Sequence, residues 1–516
     1  MRACLRAPSF IIGTFLVLVG LHLPLLRLPY FWDEAGYYIP AAWDIYRAWE
    51  LVPTSTLPNG HPPLVMVYLA LVWRVLGFSP LVTRGAMILV AAATVAATYA
   101  LARRVAGREA AVWSAVLLAL SPMFFAQSTL VYLDLPAALF TTLAVLALLD
   151  GRMLTFAIVA SLAVLTKETA VVMLPVAWAF ALCTVRAPHA VPLQETPEEV
   201  TARYTPPLQW FAVVAPILPL AAWAIYYHHV TGFWTGNAEY LQYNLYSTLD
   251  AGRIFWSLLR RMYEMFIGGF NWVLVAGAAL GYWWGRKKSH RGTEAQRNVI
   301  WLTGGLIAAY LLMLSVVGGA VLPRYLLPVF PLFFVATAAA IGRLPRRLAR
   351  GLSGAAALCF VAAWFINPPY PFAYENNLAY TDFIRLHQDA ARYLESRPAE
   401  ERILAAWPAT DELSRPLLGY VSKPRTTVAL EGFTEKDFEE VESFDLLYIY
   451  SRKWEPENNW LARFSAFRRA QERYFGYAPQ VREDELASRY QLTLLRQFER
   501  RGQWARVYRR QEAEKQ

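Results

Sequence analysis

The chain has 516 residues, 56% of them hydrophobic and 17% charged, with a formal net charge of +10. A soluble domain carries about 25% charge, so a disordered, fibrous or fully soluble chain is excluded. Many of the arginines stand in short loops beside apolar runs, which is the signature of membrane topology; no nucleic-acid partner is expected. Cys4, Cys183 and Cys359 are the only cysteines, so no disulfide framework is available.

In chain order, Arg2 and Arg6 precede an apolar run from Ser9 to Leu28. No small-residue cleavage site follows, so the run reads as an uncleaved first span with its N-terminus in the cytoplasm. Leu64 to Phe78 is apolar but holds Arg74. It is shorter than the roughly 20 residues a span needs and reads as an interfacial helix in a first outer loop, 29–80. Leaving it out of the count puts Arg103, Arg104, Arg108 and the later basic loops on the cytoplasmic side, as the positive-inside rule demands.

About 11 transmembrane helices follow, near 9–28, 81–102, 109–127, 135–149, 153–166, 169–186, 208–229, 271–285, 298–318, 323–342 and 351–367. Ile254 to Phe270, with Arg260, Arg261 and Glu264, reads as an amphipathic surface helix. The expected organisation is a polytopic α-helical membrane domain, 1–367, and a small α/β extracytoplasmic domain, 368–516. In that tail 375–396 reads as a helix, 403–406 and 445–450 as buried strands, and 492–508 as a hairpin turning at Arg501-Gly502. The protein is expected in the cell inner (plasma) membrane.

Ionisable groups in or beside a span are costly, roughly 2.5–3.5 kcal/mol at the bilayer centre. Here they gather at the outer ends of the spans. Asp33 and Glu34 follow the first span, and one of two adjacent carboxylates is fitted to be a general base. The plain alternative is a pair of helix N-cap acids. His61 precedes Pro62 and Pro63, which present it at the membrane surface before a helix start. Asp134 opens a span, as an N-cap or as a second acid beside the same aqueous boundary. Asp33, Glu34, Asp134 and His228 are the groups that would hold a divalent metal. Lys167, in a short hairpin with Glu168, and Arg324, at the outer end of another span, suit a phosphate. Both also suit headgroup snorkelling. No P-loop and no HExxH motif is present, so neither an ATP-driven pump nor a zincin is supported.

Taken in order, Asp33-Glu34, His61-Pro62-Pro63-Leu64, Arg103-Arg104-Val105-Ala106-Gly107-Arg108, Asp134-Leu135-Pro136, Leu165-Thr166-Lys167-Glu168 and Arg324-Tyr325-Leu326-Leu327-Pro328 resemble the GT-C superfamily of membrane glycosyltransferases. The likeness is to its protein O-mannosyltransferase and aminoarabinose transferase-like branch and covers about residues 1–345. The resemblance implies a GT-C fold and an inverting transfer of a sugar from a polyprenyl-phosphate donor to an acceptor hydroxyl of a protein, lipid or glycan. By the same resemblance Asp33 is the catalytic base, Glu34 its partner and Asp134 the second-loop acid. Lys167 and Arg324, with His61 where relatives tend to carry lysine, contact the donor phosphate. A leaving phosphate needs no strong acid, so no cofactor is required and a divalent metal is optional. Partners are then the lipid-linked sugar, its acceptor and membrane lipids. A transporter or flippase of lipid-linked sugars is the alternative, and it would place acids along a transmembrane path.

Overall fold

The computed structural model describes residues 6–58, 60–185, 206–236, 241, 248–287, 294–366, 375–439, 441, 443–452, 463–475, 478 and 480–511. Cys4 lies outside them. The chain forms two compact units. One comprises Met1–Leu23, Ala41–Gly77 and Val82–Ala363; the other comprises Pro24–Pro40, Phe78–Leu81 and Trp364–Gln516.

The first unit is helical. Its main elements are α1 (Arg6–His22), α2 (Leu64–Leu76), α3 (Pro80–Leu120), α4 (Asp134–Leu149), α5 (Met153–Thr166), α6 (Met173–Val185), α7 (Ile217–Thr231), α8 (Ala251–Phe266), α9 (Asn271–Lys287), α10 (Glu294–Val316), α11 (Phe330–Ile341) and α12 (Arg346–Ala363). Among the described residues five helical stretches are long and apolar enough to cross a membrane: Pro8–Leu25, Pro80–Leu120, Trp210–Thr231, Val299–Val316 and Pro323–Ile341. A sixth arises if Ala251–Phe266 and Gly268–Lys287, bent by 41°, are one span. The apolar helices α2, α4 and α5 are shorter. At 1.5 Å per residue α2 is about 20 Å long, less than the roughly 30 Å hydrocarbon core.

Helix α3 is two helices joined at Gly107, which sits at φ 85°. An L-residue resists that conformation and glycine does not. The basic turn Arg103 to Arg108 therefore breaks the helix where the charges sit.

The amphipathic segment is helical as α8, but its polar side faces inward. Arg253, Ser257, Arg261 and Met265 are buried, while Phe255, Leu259, Met262 and Tyr263 are exposed. The spacing of four puts the buried set on one helix face. Arg260 on the same helix stays exposed.

Helix α9 packs closely on α11. Gly277, Gly281 and Gly285 recur every fourth residue and are all buried, the small-residue stripe that lets helix backbones approach in a membrane. A Cβ at Gly277 would lie 3.2 Å from Ile341, and at Gly281 it would strike the Ala340 carbonyl.

In the second unit α13 (Tyr380–Glu395) lies against a five-stranded sheet of β1 (Ile403–Ala406), β2 (Thr427–Leu430), β3 (Leu446–Tyr450), β4 (Leu492–Arg500) and β5 (Gln503–Arg510), in the order β2-β1-β3-β5-β4. Strand β1 pairs parallel with β2 and β3, and β5 pairs antiparallel with β3 and β4. Residues of β1 and β3 are all buried, as expected of central strands covered on both faces.

Filling the α9 stripe is expected to be destabilising. Gly281→Val should cost about 1–3 kcal/mol by overpacking, and Gly13→Ala, with no atom within 4 Å of its Cβ and inside a helix, should cost nothing and stabilise slightly. Thermal unfolding in detergent reads the difference.

Candidate functional site

Three sequence-distant residues meet inside the helical unit. Asp134 is the first residue of α4, where an acid complements the helix dipole. Pro136 occupies the same first turn, where its missing N–H costs nothing. Lys167 stands at the break after α5, in extended conformation (φ −153°, ψ 124°), before a short 3₁₀ turn over Glu168–Val172. Arg324 enters from the 3₁₀ segment Pro323–Val329 that leads into α11. All three are buried, at 2%, 6% and 2% exposure.

Lys167 Nζ donates to Asp134 Oδ1 at 2.6 Å, and Arg324 Nε lies 3.5 Å from Asp134 Oδ2. Asp134 thus commits both oxygens to cations and acts as their counter-ion. Lys167 Nζ also sits 3.9 Å from the centre of the Tyr325 ring, and the Arg324 guanidinium 3.9 Å from that of Tyr132. Each aromatic face offers the cation a second favourable partner and fixes its direction.

Sequence reasoning missed Arg261 as a site residue. It is 1% exposed. Its Nε donates to the Leu314 carbonyl at 2.9 Å, while its two terminal nitrogens have no hydrogen-bond partner among the described residues. Its electrostatic neighbours include Tyr325, Arg260, Arg253 and Asp134, and Glu264 on the same helix is also coupled to it. Arg253, about two turns earlier on the same face, is tied to the carbonyls of Gly318 and Gly319 at 3.3 and 2.8 Å. The available signal was the four-residue spacing of Arg253, Ser257 and Arg261. Lys167, Arg324 and Arg261 bring three buried cations to the surroundings of one carboxylate. A group of this kind can receive an anion, and guanidinium and ammonium donors suit phosphate chemically.

His61 lies elsewhere in the same unit. The backbone before it is pinned to α7: Trp223 Nε1 donates to the Gly60 carbonyl at 3.0 Å and the Tyr227 hydroxyl to the Pro58 carbonyl at 3.3 Å. His61 Nδ1 is 2.9 Å from Glu168 Oε2. Burial works against the Glu168 carboxylate, yet the His61 and Lys167 charges prevail and hold its pKa down at about 2. His228, near the end of α7, stacks on Trp234 with ring centres 4.1 Å apart. Among the described residues no group of three or more His, Cys, Asp or Glu is placed to hold a metal ion.

Asp33 and Glu34 belong to the second compact unit. Asp33 is half-buried and immediately precedes a π-helical turn, Glu34–Tyr38. Glu34 is fully buried, and its Oε2 accepts the Phe31 N–H at 2.8 Å. Its carboxylate closes the backbone turn around Asp33.

The family model that matches this chain is described as dolichyl-phosphate-mannose-protein mannosyltransferase and matches residues 60–193. That stretch holds His61, Asp134 and Lys167. Two solved structures of ArnT from Cupriavidus metallidurans share the architecture. The one bound to undecaprenyl phosphate is 16% identical, with a TM-score of 0.56 over 81% of this chain and 85% of that one. The apo form is 16% identical, with a TM-score of 0.54 over 82% and 86%. The fold is the GT-C fold. No curated protein matches the chain in sequence. The GT-C resemblance read from the motifs therefore stands, and the chain is a multi-pass membrane protein.

Removing the counter-ion should be costly. Asp134→Ala strands Lys167 and Arg324 and is expected to lose on the order of 3–5 kcal/mol, read by thermal unfolding in detergent. A second expectation concerns acid. The Glu168 pKa is depressed in the folded state, so its contribution is present above the unfolded carboxylate value and is lost as pH falls through the folded one. The difference in melting temperature between wild type and Glu168→Gln should shrink as pH drops from about 4.5 towards 2.

Proposed function

We propose that the chain is an inverting glycosyltransferase that moves a sugar from a polyprenyl-phosphate donor to an acceptor hydroxyl. The observation that carries this reading is the buried cation group of Lys167, Arg324 and Arg261, in which the two terminal nitrogens of Arg261 have no hydrogen-bond partner among the described residues. It occurs in a fold shared with a protein crystallised with undecaprenyl phosphate. Lys167, Arg324 and Arg261 take the donor phosphate, and Asp134 holds the first two in place. His61, tethered by Glu168, contributes a further donor contact.

In this scheme the acceptor oxygen attacks the anomeric carbon and the carbon–oxygen bond to phosphate breaks. The electron pair leaves with the polyprenyl phosphate, and Asp33 takes the hydroxyl proton. Glu34 supports Asp33 through the backbone turn it closes. A positioned base supplies typically 10²–10⁴-fold. Cations aimed at charge building on the leaving group commonly supply the larger share. The charge stabilisation comes from the chain's own cations, so no divalent metal is needed and EDTA is expected to leave turnover intact. The acceptor is a protein, lipid or glycan hydroxyl.

The 11-span organisation completes the proposal. The N-terminus lies in the cytoplasm, and the second unit and the site lie on the outer face of the plasma membrane. Arg482 is well exposed in that unit, with 80% of its side chain accessible. In a chain lacking Cys4, Cys183 and Cys359, Arg482→Cys should react with an impermeant thiol reagent in intact spheroplasts. Reaction only after lysis refutes the orientation.

The deciding assay uses purified protein in liposomes with undecaprenyl-phosphate and dolichyl-phosphate sugars, and follows release of free polyprenyl phosphate. Asp33→Asn should lower kcat at least about 10²-fold. Arg261→Ala should lower kcat as well as kcat/KM for the donor, with Arg261→Lys recovering part of the loss. Donor movement across the bilayer without release of polyprenyl phosphate would instead support a flippase.

A further inference from the structure

The second unit gathers aromatic side chains around the turn that carries Asp33. Trp32, just before it, has φ 48°, a left-handed conformation that a residue with a Cβ resists. Such a conformation persists only where its surroundings enforce it. The Trp32 ring meets Trp407 edge-on with centres 5.5 Å apart, and Phe383 at 5.4 Å. Tyr37 packs on the same Trp407 ring at 5.5 Å. Between them, Gly36 leaves its side-chain space to the indole. A Cβ built there would fall 2.5 Å from Trp407 Cζ2 and 2.6 Å from Cε2. Residues 32, 36 and 37, on both sides of Asp33-Glu34, thus bear on one side chain.

Trp407 is itself fixed. It follows the fully buried strand β1. Its N–H donates to the Leu430 carbonyl at 3.3 Å, its carbonyl accepts from the Tyr450 hydroxyl at 2.9 Å, and its side chain acts on the ionised form of the Asp411 carboxylate. The start of the turn is fastened to the same unit: Tyr30 N–H donates to the Leu418 carbonyl at 3.2 Å, and the Tyr420 hydroxyl to the Tyr30 carbonyl at 3.0 Å.

We propose that Trp407 is a positioning residue, whose indole, seated in the space left by Gly36 and against Trp32 and Tyr37, holds the Asp33 turn in its working geometry. The proposal rests on the reading of Asp33 as the base. It gives the C-terminal domain a part in the reaction without any contact to the sugar. The indole sets where the Asp33 carboxylate stands, and a displacement of about 1 Å at a reacting group can cost on the order of 10²-fold in rate.

The test uses the full chain in liposomes with the undecaprenyl- or dolichyl-phosphate sugar that turns over in the assay above, together with amide hydrogen exchange. Trp407→Ala should lower kcat on the order of 10²-fold with KM for the donor unchanged. Trp407→Phe, which keeps a flat ring on Gly36, should recover most of it. Gly36→Ala should lower kcat in the presence of Trp407 and have no further effect in Trp407→Ala. In the Asp33→Asn background Trp407→Ala should add nothing, because the group being positioned is already gone. Exchange should accelerate at the amides of residues 31–38, where Glu34 and Gly36 bond back to Phe31 and Trp32, and stay as in wild type in β1 and β3. Full kcat in folded Trp407→Ala, or unchanged exchange at 31–38, overturns the proposal. If Trp407→Ala does not fold, Trp407→Phe and Gly36→Ala are read in its place, and wild-type kcat in Gly36→Ala overturns it. Turnover retained in Asp33→Asn refutes the base assignment instead, and exchange at 31–38 still reports whether Trp407 holds the turn.

Discussion

The contact between Lys167 and Asp134 is the constraint on which the helical unit is organised. Charges inside a lipid-embedded bundle lose their hydration, and they persist only where each meets an opposite charge, an aromatic face or a backbone carbonyl. Asp134, Lys167 and Arg324 come from three separate segments, so satisfying them forces the start of α4, the break after α5 and the entry to α11 to converge. Arg261 and Arg253 extend the same demand to α8, whose polar stripe turns inward for that reason. The site is where the bundle's electrostatic problem has to be solved.

The convergence also explains why irregular backbone sits where it does. Lys167 is extended between two helices, and Arg324 lies on a 3₁₀ segment. A regular helix would direct these side chains around its own axis. The breaks direct them at one carboxylate. A ligand anion entering such a site meets donors already aimed at it, so little rearrangement is needed on binding.

Much of this was legible in the sequence, and the failures share a cause. The basic turn from Arg103 to Arg108, the helix near 375–396, the strands at 403–406 and 445–450 and the hairpin at Arg501-Gly502 were readable, because charge runs, apolar runs and turn residues are local signals. The structure sets them at Gly107, Tyr380–Glu395, Ile403–Ala406, Leu446–Tyr450 and Leu492–Arg510. Strand β2, Thr427–Leu430, was not readable, since four residues carry too little periodicity. The two-faced character of α8 was readable, but not that Arg253, Ser257 and Arg261 are its buried face, because periodicity reports that two faces differ and not which one meets the protein. Asp134, Lys167 and Arg324 were singled out by their cost in an apolar setting, and Arg261 was hidden among the charges of an amphipathic helix. The role of Glu34 as a turn closer depends on the left-handed backbone at Trp32, which no residue type announces.

The grouping of residues 24–40 with the C-terminal unit has a consequence in time. Asp33 leaves the ribosome about 370 residues before Trp407. At roughly 5–20 residues per second, the turn waits tens of seconds for the strand that seats it. Throughout that interval the membrane helices can insert and the cation group can assemble, but the turn around Asp33 lacks the aromatic walls that stabilise its left-handed residue. The turn therefore settles only once the sheet of its own unit has been made, and a chain stopped short of that sheet would carry its helices with the Asp33 turn unsupported.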